Sequence, residues 1–481
     1  MRFTLFAVLA IIFTFFTTGN SSAEVMINEF MAFNVSTSPD MCDFDDFSDW
    51  IELYNNSDTT VNLKGYYLSD KLNNSTKWPI PDGATIAPKG FLVIRADGSN
   101  AAPGTLATRE YYPYDLTFTT KRYHTNFKLS DLGDGLGLFR LVTGSIIPVD
   151  TLTFTRQLPD VSVGRNTDGG KEWFKFDCPT PGYENTTEAK PLSLITYSPS
   201  VKFSAAGFSS ETQTVTITAS SGADNTIYYT TNGSAPTTAS KKYTGPIVID
   251  KNTVLRARCI NPSMLAGSVA TASYFVNETS RTLMRVSIIA DSTYLWDSIV
   301  GMYQNSYKDK EIPASIEFFN PDGSFMTQVN AGINPGSLTS YNSPQKPLQI
   351  GLKGKYGSDF IVAQVFDKKA ACYPKIRIRN AGDSWGSTML GDAVVESMCK
   401  DQMANGSSAY KPINLYINGK YWGVMELREQ FDEQYYTNNY NVDPTSLTDI
   451  RTTILPPAPG HEGYELGAGS WDEYNELLSM A

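Results

Sequence analysis

Short runs of alternating apolar and polar residues, separated by turn residues, fill most of the first 280 positions. In DWIELYN, Trp50, Glu52 and Tyr54 fall on one side of the chain and Ile51 and Leu53 on the other, the period of two that a pleated strand imposes. VMINEFM, GYYLSD, GFLVIRA, GLGLFRL and WFKFD extend the strand-turn-strand pattern to about Glu184. From about Pro191 to Val276, VTITAS, TIYYTT, PIVID, TVLRARC and SYFV alternate or run apolar. Asn232 and Gly233 supply a turn there, and Pro246 opens a strand where its missing N–H does least harm. The pattern predicts two successive all-β units.

Beyond Arg281 the pattern becomes mixed. LMRVSIIAD predicts an apolar strand, Tyr294 to Tyr307 a helix or loop, and IPASIEFFNPDGSFMTQVNAGI a hairpin through Pro321, Asp322 and Gly323. YINGKYWGVMEL predicts a second hairpin, because Asn418 and Gly419 tolerate the positive φ of a tight turn. LREQFDEQYY then reads as helical, placing Arg428, Glu429 and Asp432 where strand gives way to helix. Thr388 is a cap for another helix, whose buried stripe is expected to be Leu390, Val394 and Met398 at four-residue spacing.

The ends and the composition narrow the setting. Arg2, the apolar stretch LFAVLAIIFTFFTT and the small residues Ser21, Ser22 and Ala23 have the form of a secretory signal over residues 1–23. That apolar run falls short of the roughly 20 residues a spanning helix needs, and no later segment is long and apolar enough, so no membrane span is expected. The expectation is a secreted or cell-surface protein. A net charge of −11 argues against a nucleic-acid partner, which calls for a basic face. Five cysteines, at 42, 178, 259, 372 and 399, are too few and scattered for a disulfide framework or a CxxC zinc site. An oxidising compartment would permit Cys42 to pair with Cys178, or Cys372 with Cys399.

Three stretches resemble known families. INEFMAFN, DWIELYN, VNLKGYYLSD, WPIP, APKGFLVIRADG and PTPGYEN resemble the lamin tail domain, which implies an immunoglobulin-like sandwich over 24–186. IYYTTNGSAPTTASKKYTGPIVI resembles the small sandwich appended to chitobiase and β-hexosaminidase chains, here 190–277. INGKYWG followed by REQFD, IRNAGDSW from Ile378 to Trp385 and TMLGDA from Thr388 to Ala393 resemble the CotH family, related to spore coat protein H. That likeness implies a remote kinase-like fold over 281–481. The expected fold class is thus multidomain: two all-β immunoglobulin-like sandwiches followed by an incomplete α+β kinase-like (CotH) domain.

The third region departs from its family in places. Where CotH chains commonly read HGGxSRxxPQKSLRI, this one has NPGSLTSYNSPQKPLQI from Asn334 to Ile350, keeping Lys346 but not the HGG or the arginine. Gly391 replaces the usual arginine of TMIRDA. The Asn-rich motif and the acidic pair that carry the family's catalytic carboxylates are not found before Ala481. Two readings stay open. One is a surface binding protein with an extracellular protein or glycan as partner. The other is a fragment of an extracellular kinase that uses ATP with Mg or Mn to phosphorylate Ser-rich secreted proteins. Phosphoryl transfer needs cations on the phosphates and carboxylates for the metal. For a bound nucleotide the expected residues are Lys346 and Arg379 at phosphate, with Asn380 and Glu429 orienting it.

Two further features could carry binding. The acidic loop PDMCDFDDFSD offers Asp43, Asp45 and Asp46 to calcium, although Phe47 and Ser48 break the EF-hand template and a merely solvated loop is the plainer reading. Tyr228, Tyr229 and Tyr243 are either sugar-stacking rings or half-buried packing.

Overall fold

The computed structural model describes residues 24–481 apart from 41–42, 44–45, 112–113, 186–188, 223, 279–281, 309, 337–342, 369–371, 400–405, 453–463 and 481. The expected signal segment therefore lies outside the described residues. Strands dominate and helices are few, and the strands fall into several sheets. Among the described residues no helix is long and apolar enough to cross a membrane.

The first sandwich packs a seven-stranded sheet on a four-stranded one. Asp49–Asn55 lies inside the larger sheet, paired antiparallel with Val25–Met31 and with Phe91–Ala96. Ile51 and Leu53 point into the inter-sheet core beside Leu68, Trp78 and Leu138, as the alternation predicts. The opposite face is buried as well: Trp50, Glu52 and Tyr54 are covered rather than solvated. Over Glu52 part of the cover is the PTPGYEN segment, whose Gly182 N–H donates to Glu52 Oε2 at 2.6 Å.

The second sandwich is built on a five-stranded sheet with Thr253–Ile260 and Ala270–Val276 at its middle, faced by two short strand pairs. Tyr228 is buried, and Tyr229 and Tyr243 pack half-buried against apolar clusters around Val215 and Ile217. These rings are packing residues.

The third region closes into a seven-stranded barrel, which its alternation does not disclose. Met284–Ala290 pairs antiparallel with Ile312–Phe319 on one side and parallel with Tyr410–Ile417 on the other, which completes the ring. Phe325–Pro335, Leu348–Gly351, Lys375–Arg379 and Lys420–Glu429 fill the remainder. The inside is packed by Val286, Ile316, Ile350, Ile378, Leu415 and Leu427 among others, so the barrel is a core and not a channel.

Two expectations for this region are corrected. Helix Gly391–Cys399 turns Ala393 inward and ties Glu396 to the Ser408 N–H, leaving Leu390, Val394 and Met398 exposed instead of buried. The strand also outlasts its predicted end: Arg428 and Glu429 are still paired, and the helix begins at Glu433 with Asp432 capping the Tyr435 N–H at 2.9 Å. Cys259, Cys372 and Cys399 are free thiols, so the Cys372–Cys399 pairing allowed from sequence does not form. Cys42 lies outside the described residues.

Candidate functional site

At one rim of the barrel, three sequence motifs far apart in the chain converge on Gln345. Its main-chain carbonyl accepts from Asn380 Nδ2 at 2.8 Å, its Oε1 accepts from Trp385 Nε1 at 3.1 Å, and its Nε2 donates to the Trp422 carbonyl at 2.8 Å. SPQKP, IRNAGDSW and NGKYWG thus meet through one side chain. The approach demands glycine at 423, where φ is +123° and a Cβ would run into Gln345 Nε2.

Lys346 stands at the same rim. Its N–H donates to the Tyr303 hydroxyl at 2.9 Å, and its ammonium lies 5.7 Å from the Tyr303 ring centre. Burial holds the Lys346 pKa below the usual lysine range. Tyr303 also accepts from Trp422 Nε1 at 2.7 Å, and Trp296, Tyr303 and Trp422 form a ring cluster with centroids 4.9 to 5.3 Å apart.

The four residues expected at a nucleotide are only partly gathered. Lys346 and Asn380 share the Gln345 rim, Asn380 also capping the turn by accepting from the Gly382 N–H at 3.2 Å. Arg379 ends the adjoining strand, in register with Glu426. Glu429 pairs with Ile376, four residues before Asn380 and hence about 13 Å along the strand. There it is buried against the Lys368 ammonium, while Lys368 also donates to Asn439 Oδ1 at 2.8 Å. Arg428 is buried too, held by Glu426 at 3.1 Å and stacked 4.9 Å from the Tyr410 ring centre.

A second polar cluster lies in the first sandwich. Asp43 of the acidic loop accepts from the Lys121 and Arg122 N–H groups at 2.8 to 3.0 Å, which pins the loop to the strand edge. His124, paired with Arg95 across the sheet, turns Nε2 toward Asp43 Oδ2 at 3.4 Å and Asp40 Oδ2 at 3.6 Å. Its Nδ1 is 3.0 Å from Asp97 Oδ2. The side chains of Asp40, Asp43 and His124 are all 0% exposed.

Electrostatics follow from that burial. Burial opposes charge on His124, but the bond to Asp97 and the neighbouring carboxylates outweigh it and raise its pKa. Burial pushes Asp97 up, yet the His124 bond and charge prevail and it ends below the carboxylate range. For Asp40 burial wins over Arg95, His124 and Arg122, and its pKa is raised. Of the residues expected at a cation, Asp43 is in this cluster. Asp46 contributes a main-chain carbonyl to the Asp40 N–H at 2.8 Å, and Asp45 lies outside the described residues. Sequence reasoning missed His124 because it is some 80 positions from the loop; the nearest signal was its place after Arg122 in KRYHT.

Comparison with known families follows the same order along the chain. Residues 18–156 match the lamin tail domain, residues 204–271 the chitobiase/beta-hexosaminidase C-terminal domain, and residues 336–469 the CotH kinase protein family. No curated protein matches the chain. The Gln345 rim falls within the last of these matches and the Asp40–His124 cluster within the first, so the chain joins a lamin tail domain, a chitobiase-type sandwich and a CotH domain, in that order.

Proposed function

We propose that the chain works outside the cell or at its surface as a binding protein, with the sandwiches and the barrel forming one scaffold for an extracellular protein or glycan. The observation behind this reading is the state of Glu429 and Asn380. Each is buried with its polar atoms engaged by the chain itself, Glu429 by Lys368 and Asn380 by Gln345 and Gly382. A group that orients nucleotide must exchange such bonds for the ligand's, and breaking a buried ion pair costs about 3–5 kcal/mol. With the tyrosines of the second sandwich serving as packing, the partner is better read as a protein.

A second reading, transfer of phosphate from ATP to Ser-rich secreted proteins, draws on the Gln345 rim. Three family motifs meet there with Lys346 beside them, and Lys346 and Arg379 would take the phosphates. Thermal unfolding with ATP and Mg²⁺ or Mn²⁺ separates the two, because a ligand present at 100 times its Kd stabilises the native state by about 2.7 kcal/mol. The binding reading expects an unchanged Tm and no transfer of labelled phosphate to a Ser-rich peptide. A rise in Tm that Lys346→Ala abolishes, together with labelled phosphate on the peptide, favours the second reading instead.

A further inference from the structure

We propose that Asp40, Asp43 and His124 of the first sandwich form a site for one divalent ion of the zinc class. Three observations converge on it, and each is independent of the acidity of the loop.

The first is spacing. Zinc bonds His nitrogen and carboxylate oxygen at about 2.0–2.1 Å, so neighbouring ligands of a tetrahedral site lie about 3.3 Å apart. His124 Nε2 stands 3.4 Å from Asp43 Oδ2 and 3.6 Å from Asp40 Oδ2, and ligand atoms of all three residues lie within 4.8 Å of one another. The second is Asp40 itself. Its carboxylate is fully buried, yet neither oxygen accepts a hydrogen bond, and its nearest cations are Arg122 Nε at 3.5 Å and the His124 ring at 3.6 Å. Leaving a buried carboxylate without hydrogen bonds is costly, and a directly bonded cation removes that cost.

The third is the orientation of the ring. His124 Nδ1 faces Asp97 at 3.0 Å. Ligating histidines characteristically give their other N–H to a carboxylate, which fixes the tautomer and makes the free nitrogen more basic. Asp43 is fixed likewise: the Lys121 N–H is shared between its two oxygens at 2.9 and 3.0 Å, and the Arg122 N–H donates to Oδ2 at 2.8 Å, which leaves Oδ1 with a lone pair unused by these donors.

The ligand set also selects the ion. Calcium takes six to eight oxygens and has little use for imidazole, whereas one nitrogen and two carboxylates suit zinc. This places the cation deeper than a loop site built on Asp45 and Asp46 would. In competition with the metal stands a proton on Nε2, which the surrounding carboxylates favour; the ion displaces it, so affinity falls as pH drops.

The test uses the full secreted chain, stripped with a chelator and titrated with Zn²⁺ by calorimetry, with Tm followed in parallel. The expected result is one equivalent bound, a Tm that falls on stripping and returns with zinc, and visible absorption typical of a tetrahedral site when Co²⁺ replaces it. Asp40→Asn preserves shape and should weaken zinc at least tenfold, and His124→Ala should abolish binding. Because His124→Ala places a cavity in a buried site, the isosteric Asp40→Asn variant, checked for a native Tm in the stripped state, is the deciding one. No stoichiometric zinc, stoichiometric calcium in its place, or unchanged zinc affinity in Asp40→Asn overturns the proposal.

Discussion

Glu29 and Glu52 set the pH response of the first sandwich. Both are fully buried, Glu29 accepting from Ser162 and from Thr180, and Glu52 from Asn28 Nδ2 at 2.9 Å and the Gly182 N–H at 2.6 Å. Burial outweighs those bonds and pushes Glu29 up to about 7 and Glu52 up to about 8 from an ordinary 4.5. A carboxyl that holds its proton more tightly when folded favours folding while protonated, so the stabilisation is complete below about pH 4.5 and is lost as pH rises toward 7 to 8. At about 1.4 kcal/mol per unit, Glu29 alone moves stability by roughly 3 kcal/mol over that window. Glu29→Gln imitates the protonated form, since its amide can donate to Thr180 Oγ1, which in turn donates to Asn185 Oδ1 at 3.1 Å. Thermal unfolding from pH 5 to 8 should show Tm falling in the parent and a shallower fall in the variant, which is the more stable of the two at pH 8 by about 1–3 kcal/mol. A slope as steep as the parent's would remove Glu29 from the account. The alternation of DWIELYN put Glu52 on the face away from Ile51 and Leu53, but its burial depends on a segment 130 positions away that periodicity does not register.

Two Asn-Gly turns carry the junction between the second sandwich and the barrel. Both were legible as turns, and Asn418 and Gly419 take φ of +46° and +79° as a tight hairpin requires. Their meeting was not legible, since turn chemistry is local and docking is not. Asn418 behaves as an added strand residue: its Oδ1 accepts from the Ala290 N–H at 3.1 Å, and its Nδ2 donates to the Ala290 carbonyl at 2.8 Å and the Asn232 carbonyl at 3.4 Å. Gly233, at φ +81°, lies so close that a Cβ would run into the Ala290 carbonyl oxygen. Gly233→Ala therefore combines an unfavourable backbone region, about 1–2 kcal/mol, with a clash against main chain. The loss expected is at least about 2 kcal/mol, measured as a drop in Tm, against little change for Gly245→Ala, where a Cβ meets nothing within 4 Å. Equal Tm values for the two variants would mean that the turn shifts without cost. The same limit explains the barrel, whose closing pair joins Met284–Ala290 to Tyr410–Ile417 across more than 100 residues. It also explains helix Gly391–Cys399: a stripe at four-residue spacing marks an apolar face, but only the neighbours decide whether that face is covered.

Across the molecule, the units are joined by side chains as well as by linkers. Asp177 of the first sandwich accepts from the Ala266 N–H of the second at 2.6 Å, and Phe47 of the acidic loop meets Tyr294 of the barrel edge to face at 5.3 Å. A further contact between the second sandwich and the barrel is aromatic. Phe275 of the second sandwich stacks on Phe208 at 4.3 Å and touches Phe319 and Tyr416 of the barrel at 5.7 and 4.5 Å between ring centres. All but Phe208 are essentially inaccessible to water, and Ser273 and Ser287 close the junction with a 2.8 Å hydrogen bond. Interiors of this kind resemble a domain core more than the polar contacts between mobile domains, so the sandwich and barrel should unfold together. Phe275→Ala removes the ring at the centre of the cluster, a loss of about 3–5 kcal/mol. Because that loss falls on the junction and leaves each unit's own core intact, the calorimetric trace should change from a joint transition to two, one for each unit. A single transition merely shifted to lower temperature would show that the two units share one core, and that their coupling does not depend on this ring.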